Sequence, residues 1–306
     1  MTIKYGGSIT DIKNITVGQA QNFEGGTGVT VVLFGKEGAV CGCEVRGSAP
    51  GTRETALMGQ GKLVHKCHAV ALCGGSAYGL DGASGVMAFL EERDIGFDTG
   101  FAKVPIVPAA VIYDLGYKSA KIRPDFNMGY EACKNAQKQV KQGSFGAGTG
   151  ATVGKILGAE HISKGGVGTA SIKLKSGATV GAIAVVNPLG DVVEENGEII
   201  AGVQENGAFL GSKRLFMENY TVEHPCNTTI GVVATDALIT KDQAAKLAQA
   251  GQNSFCSSIS PSHTMNDGDT VFAAGCGEIE EDMNVLCVAA QEAMRRAVIN
   301  GVLAVK

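Results

Sequence analysis

The sequence predicts an α/β protein with a four-layer αββα sandwich, in which helices cover the outer faces of two mostly buried sheets. Three observations predict this fold. Short apolar runs bounded by glycine have the pattern of buried strands. Other segments have helix-compatible compositions, and they are mixed with the strands without a strict βαβ alternation. Finally, 306 residues with 44% hydrophobic content can bury a large core.

The predicted strands are short apolar runs. They cover residues 28–34, 68–73, 180–186, 230–234 and 270–274. Between the third and the fourth run, residues 194–221 are polar, dotted with glycine and weakly periodic. This composition is typical of a long surface loop, and we expect one there.

The predicted helices cover residues 78–92, 127–142, 240–250 and 281–300. The first follows a glycine-rich corner and is expected to pack closely on a sheet. The second carries lysines and ends before Gly143. The third begins with a capping box, Thr240-Lys-Asp-Gln243. The fourth is acidic in its first turn and carries Arg295 and Arg296 nearer its end, in the sense that the helix dipole favours.

Glycine is unusually frequent, with 44 residues, about twice its usual share. This abundance predicts close backbone packing and tight turns. The segment 143–155, GSFGAGTGATVGK, resembles a phosphate-binding loop only superficially. A Walker loop needs glycine where Thr149 stands and Ser or Thr where Ile156 stands, and no strand leads directly into the segment. We interpret its glycines as positions where backbones approach each other near a site or the core.

Charge and hydropathy exclude several classes of partner. The net charge is −4, and no run of basic residues exceeds the pair Arg295-Arg296, so binding to nucleic acid is not expected. No stretch of about 18 uninterrupted apolar residues occurs, and residues 1–7 lack the apolar region of a signal peptide. We therefore expect a soluble, cytoplasmic protein that does not enter a membrane.

The nine cysteines are odd in number and form no C-x-x-C pair, so no disulfide framework is expected. The nearest approach to a metal cluster is His65, Cys67 and His68. On a strand, His68 would point away from the other two side chains. We interpret all three as ordinary strand residues and predict neither a metal site nor a cofactor.

A serine nucleophile has no support in the sequence. Ser76 and Ser84 lie in glycine-rich surroundings, but a nucleophile elbow requires Gly-x-Ser-x-Gly, and its last position is Tyr78 or Val86 here. The five histidines are widely spread, so nothing indicates a Ser-His-Asp arrangement. Both serines are interpreted as structural.

The segment 226–237, CNTTIGVVATDA, places a polar tripeptide directly before a buried strand. If the bond between Asn227 and Thr228 were cut, Thr228 would carry a free α-amine beside its hydroxyl, a base and a nucleophile in one residue. An α-amine titrates near ~8, so an appreciable share is unprotonated at neutral pH. The alternative is that both residues simply cap the strand, and on these residues alone that interpretation is preferred.

Six blocks of the sequence resemble one family. They are RGSAPGTRET (46–55), GGSAYGLDGASGVMAFLEE (74–92), VPIVPAAVIYDL (104–115), the segment 143–154, NTTIGVVATDA (227–237) and HTMNDGDTVFA (263–273). In this order they resemble the DmpA-type self-processing aminopeptidases, which include β-aminopeptidases and the pantetheine hydrolase ThnT. The resemblance runs nearly end to end.

This resemblance implies a sandwich of the type shared by DmpA, ornithine acetyltransferase and N-terminal-nucleophile hydrolases. It implies a single catalytic domain, residues 1–306, cleaved once into an α chain of residues 1–227 and a β chain of residues 228–306 that stay associated. It also implies a small peptide or amide substrate and a homo-oligomer of such αβ units. In similar proteins the nucleophile stands six residues before the Ala of Ala-Thr-Asp, here Ala234, which favours Thr228 over Thr229.

Further site residues follow from the resemblance. Asp267 and Asp269 take the places of a Ser-x-acid pair that orients the nucleophile, and Asp at the first place is a departure that should push one pKa upward. Asn187 resembles the asparagine that stabilises the oxyanion, although a turn residue before a proline is an equal alternative. Tyr113 aligns with a tyrosine that helps to hold the oxyanion. Val111 stands where several relatives have a glutamate suited to a substrate ammonium.

The resemblance therefore implies an amidohydrolase of the aminopeptidase type that acts through an acyl-enzyme on Thr228. Two alternatives remain open at this point. One is an acyltransferase of the ornithine-acetyltransferase type, which differs only in the acceptor of the acyl group. The other is a non-catalytic binding protein on the same scaffold, which the residues at 111 and 267 make conceivable.

Overall fold

Two β-sheets lie face to face between two pairs of helices in the computed structural model, which describes residues 3–220 and 227–305. The four-layer αββα sandwich predicted from the sequence is confirmed. The longer helices are α1 (Gly82–Glu91), α2 (Phe126–Lys134), α4 (Lys241–Ser258) and α5 (Met283–Leu303), and a short α3 covers Ser212–Met217.

Each sheet has strands from distant parts of the chain. The first contains, in spatial order, β1 (Thr16–Asn22), β2 (Thr27–Leu33), β6 (Ala69–Cys73), β9 (Ala109–Val111) and β4 (Thr52–Arg53). The second contains β12 (Gly166–Lys173), β13 (Thr179–Val186), β18 (Ile230–Ala237), β20 (Thr270–Ile279), β3 (Ala39–Val45) and β5 (Lys66–Cys67). The pair β18 and β20 is parallel, as is the pair β6 and β9.

Short strands form the remaining small sheets. They are β7 (Phe97–Asp98) with β8 (Lys103–Val104), β10 (Thr152–Val153) with β11 (Ser163–Lys164), β14 (Asp191–Val193) between β15 (Ile199–Ala201) and β19 (Ile259–Ser260), and β16 (Gln204–Glu205) with β17 (Ala208–Phe209). Single 3-10 turns cover Ile9–Asp11, Ala56–Met58, Ser76–Asp81, Gly146–Thr149 and Ala159–His161.

The hydrophobic core has three layers, and strand alternation assigns side chains to them. In β18, Val232 and Ala234 face the core between the two sheets, whereas Val233 faces the core under α4 and α5. In β2, Val32 faces the intersheet core and Val31 faces the core under α1 and α2. Because both faces of each sheet are covered, the strands read as continuous apolar runs instead of alternating ones.

The prediction of a helix over residues 127–142 is wrong in its second half. Helix α2 ends at Lys134, and the chain then crosses to the edge of the first sheet. There the N–H of Gln137 donates to the carbonyl of Val17, and the N–H of Val17 donates to the carbonyl of Gln137, each at 3.0 Å. The two main-chain bonds to an otherwise open strand edge replace the last two helical turns.

The prediction of one long loop over residues 194–221 is also wrong for residues 194–220. Thr221 lies outside the described residues. The segment contains β15, β16, β17 and α3. The buried carboxylate of Asp191 organises it by accepting hydrogen bonds from the N–H of Val203, at 2.9 Å, and from the hydroxyl of Ser212, at 2.7 Å. Elements of two to six residues are too short to show a period in the sequence.

Cys41 and Cys67 form a disulfide that joins β3 to β5, and sequence analysis did not predict it. The two cysteines are 26 residues apart, and their pairing follows from the antiparallel register of two strands that the sequence did not align. Among the described helices, none is both long and apolar enough to cross a membrane.

Close backbone contact explains much of the glycine content, and the crossing of α1 and α2 allows a test. A Cβ on Gly129 would lie 1.9 Å from the carbonyl oxygen of Gly82. Gly129→Ala should therefore lower the free energy of unfolding by about 2–3 kcal/mol, because two helix backbones must separate. Chemical denaturation measures this change. The matched control is Gly116→Ala, where an added Cβ meets nothing within 4 Å; equal stability of the two variants would contradict the prediction.

Candidate active site

Three strand ends meet at one edge of the second sheet. β18 and β20 are parallel neighbours in which Ile230 pairs with Thr270, so the residues that precede both strands lie side by side. β13 runs antiparallel to β18 with Val185 opposite Ile230, so the residues that follow β13 reach the same edge. The chain thus brings together residues 187–189, 227–229 and 267–269, which are far apart in sequence.

Thr228 is buried with 3% of its surface exposed, and its hydroxyl lies against the carbonyl of the peptide bond before it. The hydroxyl oxygen is in contact with the carbonyl oxygen of Asn227. The N–H of Gly268 donates to both of these oxygens, at 3.2 Å to the hydroxyl and 3.3 Å to the carbonyl. A hydroxyl group, a carbonyl group and a donor to the carbonyl oxygen therefore lie together, which is the arrangement that an acyl shift requires.

Asp267 and Asp269 are both buried, and they flank Gly268, whose N–H donates to the hydroxyl of Thr228. Asp267 accepts hydrogen bonds from the N–H of Leu189, at 3.2 Å, and from the hydroxyl of Thr264, at 2.6 Å. Burial, followed by the charge of Asp269, raises the pKa of Asp267 to about 6. The raised pKa expected for a pair of like charges thus falls on the first carboxyl.

Asp269 bridges two segments of the site. One carboxylate oxygen accepts the N–H of Thr229 at 2.7 Å. The other accepts two bonds from His263, at 3.2 Å from its main-chain N–H and 2.9 Å from Nδ1. Asp269 therefore fixes the peptide plane that directly follows Thr228.

Lys155 is a site residue that sequence analysis missed. Its ammonium donates to the carbonyl of Asn187 at 2.8 Å and to that of Pro188 at 3.1 Å. The carbonyl of Asn187 also accepts the N–H of Thr228 at 3.0 Å, so Lys155 and Thr228 share one acceptor. Desolvation lowers the pKa of Lys155 to about 7, although the charge of Asp267 opposes this change.

Lys155 lies in a segment that the sequence analysis interpreted only by comparison with a phosphate-binding loop. Lys155 ends the glycine-rich segment 143–155, which failed as a phosphate loop. In the structure these glycines allow main-chain contacts, since a Cβ on Gly154 would lie 1.9 Å from the N of Val203. The segment therefore serves to bring a lysine into a crowded site.

Asn187 is fully buried, and its side chain is held by main-chain groups. Its amide nitrogen donates to the carbonyl of Tyr113 at 3.2 Å, and its amide oxygen accepts the N–H of Thr152 at 3.0 Å. An amide nitrogen has two hydrogens, so one remains for a ligand. Tyr113 reaches this network through its main chain, and the role of its phenol stays a prediction.

The neighbourhood of Val111 is apolar. Val111 is 4% exposed, it belongs to β9, and its N–H donates to the carbonyl of Gly51 at 3.0 Å. A Cβ on Gly51 would lie 2.5 Å from the Val111 side chain, so the two residues pack without a gap. This position holds no carboxylate that could pair with a substrate ammonium.

The fold is that of N-terminal-nucleophile hydrolases. The L-aminopeptidase D-Ala-esterase/amidase of Ochrobactrum anthropi, described as a variant of that fold, superposes with a TM-score of 0.76, at 19% identity, covering 100% of this chain and 89% of the other. A β-aminopeptidase of Burkholderia sp. gives a TM-score of 0.72 at 20% identity, covering 99% and 90%.

The chain belongs to peptidase family S58, whose sequence model matches residues 7–306. An uncharacterized aminopeptidase of Mycobacterium leprae is 40% identical, over 89% of this chain and 79% of that protein. A 6-aminohexanoate-oligomer endohydrolase of Kocuria sp. is 32% identical, over 88% of this chain and 75% of that protein. The protein is accordingly a hydrolase of the aminopeptidase and amidohydrolase class.

Proposed function

We propose that the chain cleaves itself between Asn227 and Thr228 and then hydrolyses small amides with Thr228 as the nucleophile. The observation that carries this proposal is the Thr228 hydroxyl against the Asn227 carbonyl, with the Gly268 N–H donating to both oxygens. The two chains would be residues 1–227 and 228–306. They would stay associated, because both contribute strands to the second sheet.

Maturation begins when the hydroxyl oxygen of Thr228 loses its proton and attacks the carbonyl carbon of Asn227. The Gly268 N–H donates to the resulting oxyanion. The bond to the Thr228 nitrogen breaks, the nitrogen takes up the proton, and an ester remains. Water then hydrolyses the ester, which leaves the carboxylate of Asn227 and restores the hydroxyl of Thr228.

In the mature enzyme the free α-amine of Thr228 accepts the proton of its own hydroxyl as the oxygen attacks a substrate amide. The remaining N–H of the Asn187 amide and the hydroxyl of Tyr113 are proposed to hold the oxyanion with Gly268. Asp267 and Asp269 orient the threonine and its amine. Water releases the acyl group as an acid.

The substrate class is proposed from the relatives, whose names refer to aminopeptidases and to hydrolysis of 6-aminohexanoate oligomers. All are amide hydrolyses, so a small peptide or amide is the proposed substrate. The cytoplasmic location and a homo-oligomer of αβ units stay predictions.

Intact-mass measurement of the purified protein should show two chains split before residue 228. A panel of L-, D- and β-aminoacyl p-nitroanilides, with pantetheine-like amides, should then give free acid. The panel is repeated with amino-acid acceptors. Acyl transfer in place of hydrolysis would assign an acyltransferase, and an uncleaved, inactive protein would indicate a binding protein on the same scaffold.

A further inference from the structure

His263 has a backbone conformation that its residue type adopts at a cost. Its φ is +53°, in the left-handed region, where non-glycine residues are uncommon and pay a conformational penalty. Its side chain is only 16% exposed, and the residue lies in the loop between β19 and β20. Strained backbone conformations are common at functional sites, where surrounding contacts stabilise them. The contacts of His263 therefore indicate which interaction stabilises its conformation.

Both donors of His263 converge on one atom. Its main-chain N–H and its ring Nδ1 each donate to the same carboxylate oxygen of Asp269, at 3.2 and 2.9 Å. The left-handed backbone of His263 thus accompanies the convergence of its main chain and its side chain on one oxygen. The second carboxylate oxygen of Asp269 then points at the N–H of Thr229, at 2.7 Å.

The rest of the imidazole has no polar contact within the described part of the chain. Its Nε2 is buried without a hydrogen-bond partner among those residues, and the ring packs against Phe255 with centroids 6.1 Å apart. Since a carboxylate only accepts, Nδ1 must carry the hydrogen. Among the described residues, donation from Nδ1 to Asp269 is therefore the only hydrogen bond of this side chain.

We propose that His263 is a positioning residue for the nucleophile. Its two donors fix one oxygen of Asp269, the other oxygen fixes the N–H of Thr229, and the peptide plane so held determines where the hydroxyl and the amine of Thr228 point. The inference rests on the proposed function, because it assigns Thr228 as the nucleophile. It adds a residue from another loop to the machinery of both self-cleavage and hydrolysis.

The test compares substitutions that keep the left-handed backbone. Asn tolerates this conformation, and its amide nitrogen is as many bonds from Cα as Nδ1 is. Asp has the same shape and tolerance but cannot donate when ionised. His263→Asn should therefore self-cleave and turn over within about fivefold of wild type, whereas His263→Asp should lose at least about 10-fold more, the value of a charge-assisted hydrogen bond. The loss should fall on kcat, with KM little changed.

Because the carboxylate of His263→Asp would also repel that of Asp269, the two variants are compared at equal stability, and equal rates for Asn and Asp overturn the proposal. His263→Gly keeps the backbone and its N–H but removes the ring, and we expect a loss of about 10- to 100-fold in kcat. Wild-type rates in that variant also overturn the proposal. Melting temperatures of all three variants separate loss of positioning from loss of fold.

A spectroscopic measurement on the unmodified protein does not depend on any variant folding. The ¹⁵N chemical shifts of His263, assigned with the Asn variant, should show hydrogen on Nδ1. Hydrogen on Nε2 with a bare Nδ1 overturns the proposal. If wild-type protein is neither cleaved nor active, the proposed function itself fails; if it is active and all His263 variants match it, only this inference fails.

Discussion

Replacement of Thr228 by alanine is expected to leave a single chain of full length and to reduce amide hydrolysis by at least about 10³-fold. The buried hydroxyl of Thr228 is the group that lies against the Asn227 carbonyl, and the Gly268 N–H already donates to both oxygens. Without it no ester can form, so the α-amine is never released. Intact mass and initial rates on a p-nitroanilide substrate measure both effects.

Two variants give this prediction its controls. Thr228→Ser replaces the secondary hydroxyl with a primary one and should still yield two chains. Thr229→Val tests the neighbouring threonine, whose buried hydroxyl has no hydrogen-bond partner among the described residues and which has nearly the same shape as valine. Thr229→Val should be cleaved before residue 228 at close to the wild-type rate. Cleavage that survives in Thr228→Ala but stops in Thr229→Val would move the nucleophile by one residue.

The sequence predicted the elements that are long and uniform. The capping box at Thr240 is present, with the Thr240 side chain accepting from the N–H of Gln243 and the Gln243 side chain accepting in return. The helix that it starts runs eight residues beyond the predicted end, to Ser258. Buried strands such as β13 and β18 were found because both of their faces are covered, which makes an apolar run easy to recognise.

What the sequence could not predict depends on tertiary contacts. Lys155 and His263 enter the site through bonds to main-chain carbonyls and to one carboxylate, and neither kind of bond leaves a spacing pattern in the sequence. The disulfide between Cys41 and Cys67 depends on the pairing of two strands. By contrast, Thr228, Asn187 and the two aspartates were predicted through the family resemblance, and the structure brings them together.

Lys155→Met is expected to be the second severe substitution. The charge of the Lys155 ammonium acts on Asp267. The same ammonium donates hydrogen bonds to the carbonyls of the two residues that follow β13. Methionine fills a similar volume without charge or donor. Two carbonyls would lose the hydrogen bond from Lys155. One of them is the carbonyl of Asn187, which also accepts the N–H of Thr228. We expect kcat and the self-cleavage rate to fall by about 10²-fold.

The pH profile should change in a direction that identifies the cause. Burial and Asp269 raise the pKa of Asp267 to about 6, and the charge of Lys155 opposes this rise. Removal of Lys155 should therefore raise the pKa of Asp267 further. If the ionised carboxylate orients the nucleophile, wild-type activity falls as the pH drops through about 6, and in Lys155→Met the acidic limb of kcat/KM moves to higher pH.

Lys164 provides the matched control, because desolvation also lowers its pKa to about 7 and its ammonium also donates to main-chain carbonyls. Lys155 and Asp269 act on the pKa of Asp267, whereas Lys164 acts on the pKa of Asp114. Lys164→Met should therefore leave the acidic limb of kcat/KM in place, whatever it does to stability.

The two lysines should also make stability depend on pH. For both, the pKa in the folded chain lies below the ordinary value, so the unfolded chain binds more protons between about pH 7 and 10.5. The free energy of unfolding should therefore rise with pH across that window. Each methionine variant should flatten part of this rise in the free energy of unfolding. A shifted acidic limb of kcat/KM in Lys164→Met would contradict the assignment of Lys155 to the site.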